Sequence, residues 1–356
     1  MALDLTNTSH EVFREYFKDY RVGTSVNPIP YDSNIAQKDR EETPLGGFRS
    51  KKVSVVGCGQ VGLAIAFAIL NQDMCGTLAL VDVAKEKLEG EAKDFLQGSA
   101  FHQRTHIDAS NEYSVTENSD FVIITAGVAQ KPGESRLKLV ERNAKIMSMI
   151  MPEVLKYSPD SPICIVSNPC DVMTAIANKI AGDKVPPGRI FGSGTCLDSS
   201  RLRSLIAASM DLDPKNIHGY VIGEHGDSSI AVWSSVRIGA LPLLKEDQEP
   251  DDTLKKLHQE VVTAAGQVIK LKGYTNWAIG MSGAYIARAV LNDTRSVMPL
   301  STCVRGLYDV TEDVFLSVPC SLSSQGVQRI AVLPLRESEK KGFQHSASQV
   351  WEVQKG

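Results

Sequence analysis

Four short apolar runs, rich in β-branched residues, constrain the fold of this chain more than any other feature of its sequence. Each run ends in Gly, Asp or Asn, and the four are "KVSVVG" (52–57), "LALVD" (78–82), "FVIITAG" (121–127) and "ICIVSN" (163–168). Continuous apolar runs of this length are typical of strands that are buried on both faces of a parallel sheet. Because segments of helical character separate the runs, the pattern predicts a doubly wound parallel α/β sheet.

The chain beyond about residue 190 has a different pattern. Long helices are predicted at 197–210 and 251–272, and strands around 217–238 and 327–333. This mixture predicts a mixed α+β domain that follows the parallel sheet. We therefore expect a sheet domain over 51–192 and a second domain over 193–356.

A glycine-rich turn directly follows the first apolar run. Gly57, Gly59 and Gly62 have GxGxxG spacing and open an alanine-rich helix. In this context the first glycine allows a tight turn, the second lets a pyrophosphate approach backbone amides at the helix N-terminus, and the third allows close packing of the helix. We expect Gln60 and Val61, which lie between them, to face the same ligand.

Asp82 ends the second apolar run, twenty residues beyond Gly62. A carboxylate there can bind both ribose hydroxyls of adenosine and would repel a 2′-phosphate. Together with the glycine turn, this position predicts a Rossmann-type domain that binds NAD rather than NADP. A glycine-rich turn with a purely structural role is the alternative.

A histidine and a helical Asp/Arg pair are candidates for the reacting groups. Asp198 and Arg201 are three residues apart in "GSGTCLDSSRLRSLI" and share a helix face, whereas Arg203 points the other way. A carboxylate such as Asp198 on one ring nitrogen of His225, in "VIGEHGDSSIAVW", would fix its tautomer and favour the imidazolium. That group is a suitable general acid for a carbonyl oxygen, and planar Arg201 is suited to binding a substrate carboxylate. An ordinary ion pair within the helix is the alternative.

A second arginine, Arg136, lies in "AQKPGESRLKLVERN", where Pro and Gly after a strand indicate a mobile loop. If this loop closes over a substrate, Arg136 can polarise a developing alkoxide in a site from which water is excluded. A solvated loop arginine is the alternative.

Composition excludes several classes of function. The 38 Lys and Arg against 42 Asp and Glu leave a net charge of -4, so no broad cationic field for nucleic acid or an anionic membrane is expected. The seven cysteines are scattered without a CxxC pair, which predicts neither a disulfide framework nor a metal site. No apolar run approaches the roughly 18 residues of a membrane span, and the first residues do not resemble a signal peptide. We expect a cytoplasmic protein.

Residues 1–50 differ from the rest of the chain and are interpreted as an N-terminal arm and linker. "TSHEVFREYFKDY" contains Thr8 and Glu11 as a capping box, and Phe13, Phe17 and Tyr20 fall near one helical face, so a short amphipathic helix is predicted. A polar, proline-punctuated stretch follows it. The arm is either a loosely ordered terminus or a segment that packs on a neighbouring subunit.

These segments, in this order, resemble the lactate and malate dehydrogenase family, and its lactate branch in particular. The resemblance covers nearly everything after residue 50, through "KVSVVGCGQVG", "AQKPGESRL", "VSNPCDV", "GSGTCLDSSRLR", "GEHGDSS", "KGYTNWAIG" and "SASQVWEVQK". It implies that His225 is the proton donor and acceptor and that Asp198 orients it. It also implies that Arg201 binds the substrate carboxylate and that Arg136 polarises the carbonyl.

Four further positions take their roles from the resemblance alone. Asn168, in "SNP", matches a polar residue near both nicotinamide and substrate, and its bond to Pro169 is expected to be cis. Thr275, in "GYTNW", matches a small residue near the substrate methyl, and Ile279 matches a residue that packs on the nicotinamide. Gln130, on the closing loop, matches the residue that meets the variable end of the substrate.

The chain departs from the family pattern in places. Ala129 stands where many animal members have an arginine, so one contact to the cofactor pyrophosphate is in doubt. The leader of about 50 residues exceeds the usual animal arm of about 20, so its role cannot be inherited. Arg203 and His218 match positions that bind an activating anion in some bacterial relatives, although the same residues occur in unregulated ones.

The resemblance therefore implies reversible reduction of pyruvate to L-lactate by NADH, in glycolytic metabolism. It also implies a homotetramer whose N-terminal arms are exchanged between subunits. Malate dehydrogenase is the alternative within the family, but it would require an arginine in place of Gln130. A non-catalytic NAD-binding protein is the alternative from a different class, and the intact set of reacting residues argues against it.

Overall fold

The computed structural model describes residues 17–19, 50–102, 105–128 and 136–355, with the backbone alone at 17–19 and at 136. The strands are β1 (Phe17–Asp19), β2 (Lys52–Val56), β3 (Thr77–Val81), β4 (His106–Ser110), β5 (Phe121–Ile124), β6 (Ile163–Ile165), β7 (Ile190–Gly192), β8 (Ile217–His218), β9 (Val221–Ile222), β10 (Ile230–Ala231), β11 (Arg237–Ile238), β12 (Leu241–Pro242), β13 (Val297–Cys303), β14 (Phe315–Ser323) and β15 (Gly326–Ala331). The α-helices are α1 (Gln60–Leu70), α2 (Lys85–Gln97), α3 (Arg136–Tyr157), α4 (Cys170–Ala181), α5 (Cys196–Ser209), α6 (Asp252–Lys272), α7 (Trp277–Leu291) and α8 (Glu337–Gln354). No helix among these residues is long and apolar enough to cross a membrane.

One large sheet organises the described chain. Its ten strands lie in the order β1-β15-β14-β13-β7-β6-β5-β2-β3-β4. The pairings from β7 to β4 are parallel, and those from β7 through β13, β14 and β15 to β1 are antiparallel. The predicted doubly wound parallel sheet followed by mixed α+β structure is therefore confirmed.

The four predicted parallel strands form because their side chains are buried on both faces of the sheet. Val53, Val55, Leu78, Leu80 and Phe121 are all fully buried. Two further parallel strands were not predicted. β4 lies at the sheet edge and has the polar sequence HIDAS, whereas β7 has only three residues, so neither presents a long apolar run.

In the second half of the chain, the two predicted long helices are confirmed as α5 and α6. This half also contains strands that the sequence pattern did not predict. β13 and β14 were missed because serine, threonine and proline interrupt their apolar residues. Ser301, Thr302 and Ser317 are nevertheless fully buried between covering elements. The strands expected around 217–238 form two small separate sheets.

The predicted amphipathic helix in the arm is wrong where the structure describes it. Phe17–Asp19 forms the strand β1, antiparallel to β15, with Phe17 opposite Ala331. The edge of β15 offers unpaired backbone groups, which outweigh a local helical pattern of only a few turns. The rest of the predicted helix, including the capping box at Thr8 and Glu11, lies outside the described residues.

Close packing of two helices connects the two halves of the chain. A Cβ atom at Gly280 would lie 2.8 Å from the carbonyl oxygen of Ala64, and one at Gly283 would lie 2.8 Å from the side chain of Ile65. Helix α7 can therefore lie directly against α1 only because glycine occupies these positions. This contact holds α7 against the middle of α1, the helix that follows the glycine turn.

Replacing Gly57 should destabilise the fold. Gly57 has φ +93°, and an added Cβ would overlap the backbone of Ala126. We expect Gly57→Ala to cost at least about 1–3 kcal/mol, because an unfavourable φ and a backbone clash add together. Gly90, in α2, has open space around its Cβ position, so Gly90→Ala should stabilise by about 0.5–1 kcal/mol. Thermal denaturation of both variants tests the pair, and equal midpoints would contradict this account.

Candidate active site

The glycine turn leaves the N-terminus of α1 open to a ligand. Gly57 donates its N–H to the carbonyl of Val81 at 2.8 Å, and a Cβ at Gly62 would overlap the Gly57 carbonyl, so the turn closes tightly on itself. Gly59, in contrast, has no atom within 4 Å of its Cβ position, and no side chain caps the helix there. The first N–H groups of a helix lack partners within the helix and attract anions. The arrangement therefore fits a pyrophosphate group.

Asp82 lies at the carboxyl end of β3 and is oriented by two backbone amides. Its Oδ2 accepts a hydrogen bond from Cys58 N at 2.7 Å, and its Oδ1 accepts one from Ala84 N at 2.9 Å. Each carboxylate oxygen retains a lone pair for a ribose hydroxyl. Nearby, Gln60 is exposed and Val61 is half-buried. These side chains are the ones expected to bind the adenosine half of NAD, and the structure brings them to one edge of the sheet.

His225, Asp198 and Arg201 form one hydrogen-bonded cluster. His225 Nδ1 lies 2.5 Å from Asp198 Oδ2, and Arg201 Nη1 donates to Asp198 Oδ1 at 2.8 Å. The exposed fractions of the three side chains are 26%, 10% and 17%. The ion pair within the helix and the contact to histidine are thus both present, one on each carboxylate oxygen. Because Asp198 binds Nδ1, proton exchange with a substrate would have to use the other ring nitrogen, Nε2.

Electrostatics in this cluster favour the imidazolium. Burial alone would lower the pKa of His225, but the Asp198 carboxylate outweighs it and raises the pKa to about 9. For Asp198, burial raises the pKa, but the charges of His225 and Arg201 hold it below its usual value. At neutral pH the histidine is therefore a charged proton donor next to an ionised carboxylate.

The backbone around His225 is held from several elements. Gly223 exchanges two hydrogen bonds of 2.8 Å with Ser317 of β14, and Glu224 N donates to Ser346 Oγ at 2.8 Å. His225 N donates to Asp171 Oδ2 at 2.7 Å. Sequence reasoning did not identify Asp171. The available signal was an acid in the first turn of a helix directly after "SNP".

Asn168 follows β6 and lies beyond the carboxyl end of that strand. Its bond to Pro169 is cis, as predicted, and its side chain is exposed. The buried Asn143 donates to the carbonyl of Asn168 at 2.7 Å and accepts from Val128 N at 2.9 Å. Asn143 thus connects Asn168 to the start of the loop. Sequence reasoning missed Asn143 because a lone asparagine on an amphipathic helix carries no signal of this contact.

The start of α7 supplies the remaining predicted positions. Thr275 and Ile279 are half-buried, and between them the buried Asn276 accepts a hydrogen bond from Lys272 Nζ at 2.8 Å. Helix α7, which contains Ile279 and begins just after Thr275, packs on α1, the helix that follows the glycine turn.

Two predicted loop residues cannot be placed. Gln130 and its neighbour Ala129 lie outside the described residues, and Arg136 is described only as the first residue of α3. Their predicted roles stay predictions.

Arg203 and His218 face a separate space. Both line a cavity of about 550 Å³ together with Cys196, Ser199 and Tyr220. Arg203 also donates to the carbonyl of Pro214 at 3.4 Å. The prediction that Arg203 points away from Arg201 agrees with this placement.

Comparison with known proteins identifies the family. Residues 51–192 match the family model described as "lactate/malate dehydrogenase, NAD binding domain", and residues 195–355 match "lactate/malate dehydrogenase, alpha/beta C-terminal domain". The chain is 46% identical to the L-lactate dehydrogenase B chain of Sceloporus undulatus, over 86% of this chain and 92% of that protein. It is also 46% identical to the L-lactate dehydrogenase A chain of Cyprinus carpio (88% and 95%) and 44% identical to the B chain of Mus musculus (86% and 92%). The chain belongs to the lactate/malate dehydrogenase family.

Proposed function

We propose that this chain is an L-lactate dehydrogenase that reduces pyruvate to L-lactate with NADH, reversibly. The observation that carries the proposal is the buried cluster in which Asp198 bonds both His225 and Arg201. It supplies a proton donor and a carboxylate-binding group next to each other, as reduction of a 2-oxo acid requires. The similarity to proteins named L-lactate dehydrogenase supports the same conclusion.

The open N-terminus of α1 and the carboxylate of Asp82 fit NAD. The two domains have different roles, one mainly in cofactor binding and one mainly in the reaction. Residues 51–192 bind the dinucleotide through Gly57, Gly59, Gln60, Val61, Gly62 and Asp82, with Asn168 at the nicotinamide end. Ile279, from residues 193–356, packs at that same end. Residues 193–356 supply His225, Asp198, Arg201 and Thr275. NADH, when bound, supplies the hydride that adds to the carbonyl carbon of pyruvate.

The side chains of this chain move the proton and hold the substrate. His225 Nε2 donates a proton to the carbonyl oxygen as charge develops there, and accepts it back when lactate is oxidised. Asp198 fixes the tautomer through Nδ1 and keeps the imidazolium favourable. Arg201 uses the guanidinium nitrogens that Asp198 does not occupy to bind the substrate carboxylate, and Arg136 polarises the carbonyl when the loop closes.

The proposed assembly is a cytoplasmic homotetramer. The pairing of β1 with β15 described above is within one chain. In the tetramer we propose that the rest of the arm, apart from β1, packs on a neighbouring subunit.

His225→Asn should abolish most of the activity. General acid catalysis commonly contributes 10² to 10⁴-fold, so turnover of pyruvate should fall at least about 10²-fold while NADH still binds. Stopped-flow or steady-state rates, with NADH binding followed by fluorescence, measure both. His345→Asn, at an exposed position on α8, is the matched control and should retain the parent rate. A loss of less than about tenfold would show that His225 is not the acid.

The two directions of the reaction should depend on pH in opposite ways. His225 has its pKa raised to about 9, so it is protonated at lower pH. The kcat/KM for pyruvate should therefore fall as pH rises through about 9, and that for lactate should rise through the same pH. Asp198→Asn should move both transitions to lower pH, because it removes the charge that favours the imidazolium. If the pH profiles of kcat/KM for Asp198→Asn coincided with those of the parent, Asp198 would not be the group that raises the pKa of His225.

Gln130→Arg should change the substrate preference from pyruvate to oxaloacetate. A neutral amide beside the pyruvate methyl leaves the second carboxylate of oxaloacetate without a counter-charge, which costs several kcal/mol in a closed site. The arginine supplies a partner and is itself unpaired when pyruvate is bound. Since 1.4 kcal/mol is about tenfold, the ratio of kcat/KM values should move by several orders of magnitude. A change below about tenfold would show that Gln130 is not the specificity residue, and the choice of lactate over malate would lose its main support.

Deletion of residues 1–20 should weaken the tetramer. If the arm packs on a neighbour, its removal should shift the assembly toward dimers at low protein concentration. Sedimentation velocity or light scattering over a range of concentrations measures this shift. A truncated protein with the parent's tetramer stability would argue that the arm is not an intersubunit element.

A further inference from the structure

A second carboxylate, Asp171, holds the backbone of the proposed general acid. Its Oδ2 accepts from His225 N at 2.7 Å, and its Oδ1 accepts from Ser301 Oγ at 2.6 Å. We propose that Asp171 is a positioning residue, whose charge and hydrogen bonds together maintain His225 as a protonated donor. The inference rests on the proposed function only for the role of His225 in the reaction.

Asp171 connects three elements at the centre of the molecule. It lies in the first turn of α4, Ser301 lies on β13, and His225 follows β9. Asp171 is 2% exposed and Ser301 is fully buried. A negative side chain in the first turn of a helix is favoured by the helix dipole, which offsets part of the cost of burying it. Each oxygen of the carboxylate has a hydrogen-bond partner, His225 N on Oδ2 and Ser301 Oγ on Oδ1.

The backbone amides that precede His225 N show that a neutral acceptor is sufficient to hold this segment of backbone in place. Val221 N donates to Ser199 Oγ at 2.8 Å, Gly223 N to the carbonyl of Ser317 at 2.8 Å, and Glu224 N to Ser346 Oγ at 2.8 Å. Each of these three amides has a neutral oxygen as acceptor, whereas His225 N has a carboxylate. Burying a carboxylate is costly compared with burying a hydroxyl. We therefore infer that the charge of Asp171 has an effect that a neutral serine hydroxyl in its place would not have.

The charges around His225 indicate what that contribution is. From α5, Asp198 favours the imidazolium and Arg201 opposes it, while from α4 Asp171 adds a second favourable charge. Glu224 of the same segment accepts hydrogen bonds from Ser228 N at 3.2 Å and from its hydroxyl.

Two further titratable groups bear on the pH dependence of this cluster. His258 of α6 lies within reach of the Asp198 charge, and burial lowers its pKa. Burial raises the pKa of Asp171 itself to about 6, although its hydrogen bonds oppose the change. Asp171 is therefore ionised at neutral pH and available to support the imidazolium.

The test separates the charge from the hydrogen bonds. Asp171→Asn keeps the shape, because the amide oxygen can accept from His225 N and the amide nitrogen can donate to Ser301 Oγ. We expect the pKa of His225, followed by NMR of labelled imidazole in the full chain, to fall by about one pH unit. The alkaline limit of pyruvate reduction should fall by the same amount, while the KM for NADH stays at the parent value.

A second variant and a control complete the experiment. Asp171→Ser copies the neutral acceptor of the neighbouring amides and should lower the pKa of His225 in the same direction, which tests the proposal if the asparagine variant fails to fold. Ser301→Ala removes a bond to Asp171 and so raises the pKa of Asp171, but the carboxylate stays ionised at the alkaline pH where His225 titrates. The pKa of His225 should therefore stay at the parent value. An unchanged pKa in the folded asparagine or serine variant would overturn the proposal. Because the NMR titration needs no turnover, it is independent of whether pyruvate is the substrate.

Discussion

The parallel pairing of β2 with β3 and β5 is the constraint on which the arrangement of the site depends. Strands that run in one direction present their carboxyl ends at a single edge. The glycine turn follows β2, Asp82 follows β3, and Asn168 follows β6, so residues separated by more than a hundred positions meet there. The pairing is possible because both faces of the sheet are covered, which the fully buried strand residues show directly.

The reacting cluster depends on burial as much as on charge. In bulk water an aspartate and a histidine 2.5 Å apart would attract only weakly, but with 10% of Asp198 exposed the attraction is far less screened. Burial by itself disfavours the imidazolium, and only the close carboxylates reverse its effect. Burial disfavours a charged group, and it also strengthens the attraction between neighbouring charges. The positions of the nearby carboxylates therefore determine the pKa of His225.

Helix packing determines how the two halves cooperate. Glycines at 280 and 283 let α7 approach α1 closely, so the helix that contains Ile279 packs on the helix that follows the glycine turn. Two hydrogen-bonding residues have a similar connecting role: Asn143 ties Asn168 to the base of the loop, and Asp171 ties His225 to α4 and β13. Each of these contacts spans elements that are distant in sequence, so a side chain on one element sets the position of a site residue on another.

Local patterns in the sequence determined four of the six described parallel strands, two long helices, the glycine turn and the acid at the end of β3. Strand burial, helix periodicity and turn chemistry act over a few residues. The pairing of Asp198 with Arg201 is also local, because residues three apart are neighbours on the surface of an α-helix. The tertiary structure alone decided that Asp171 and Asn143 contact the site, that β13 and β14 bury serine and threonine, and that Phe17–Asp19 extends the edge of β15. These features depend on partners far away along the chain, and a polar residue in sequence carries no sign of the hydrogen-bond partner that burial will give it.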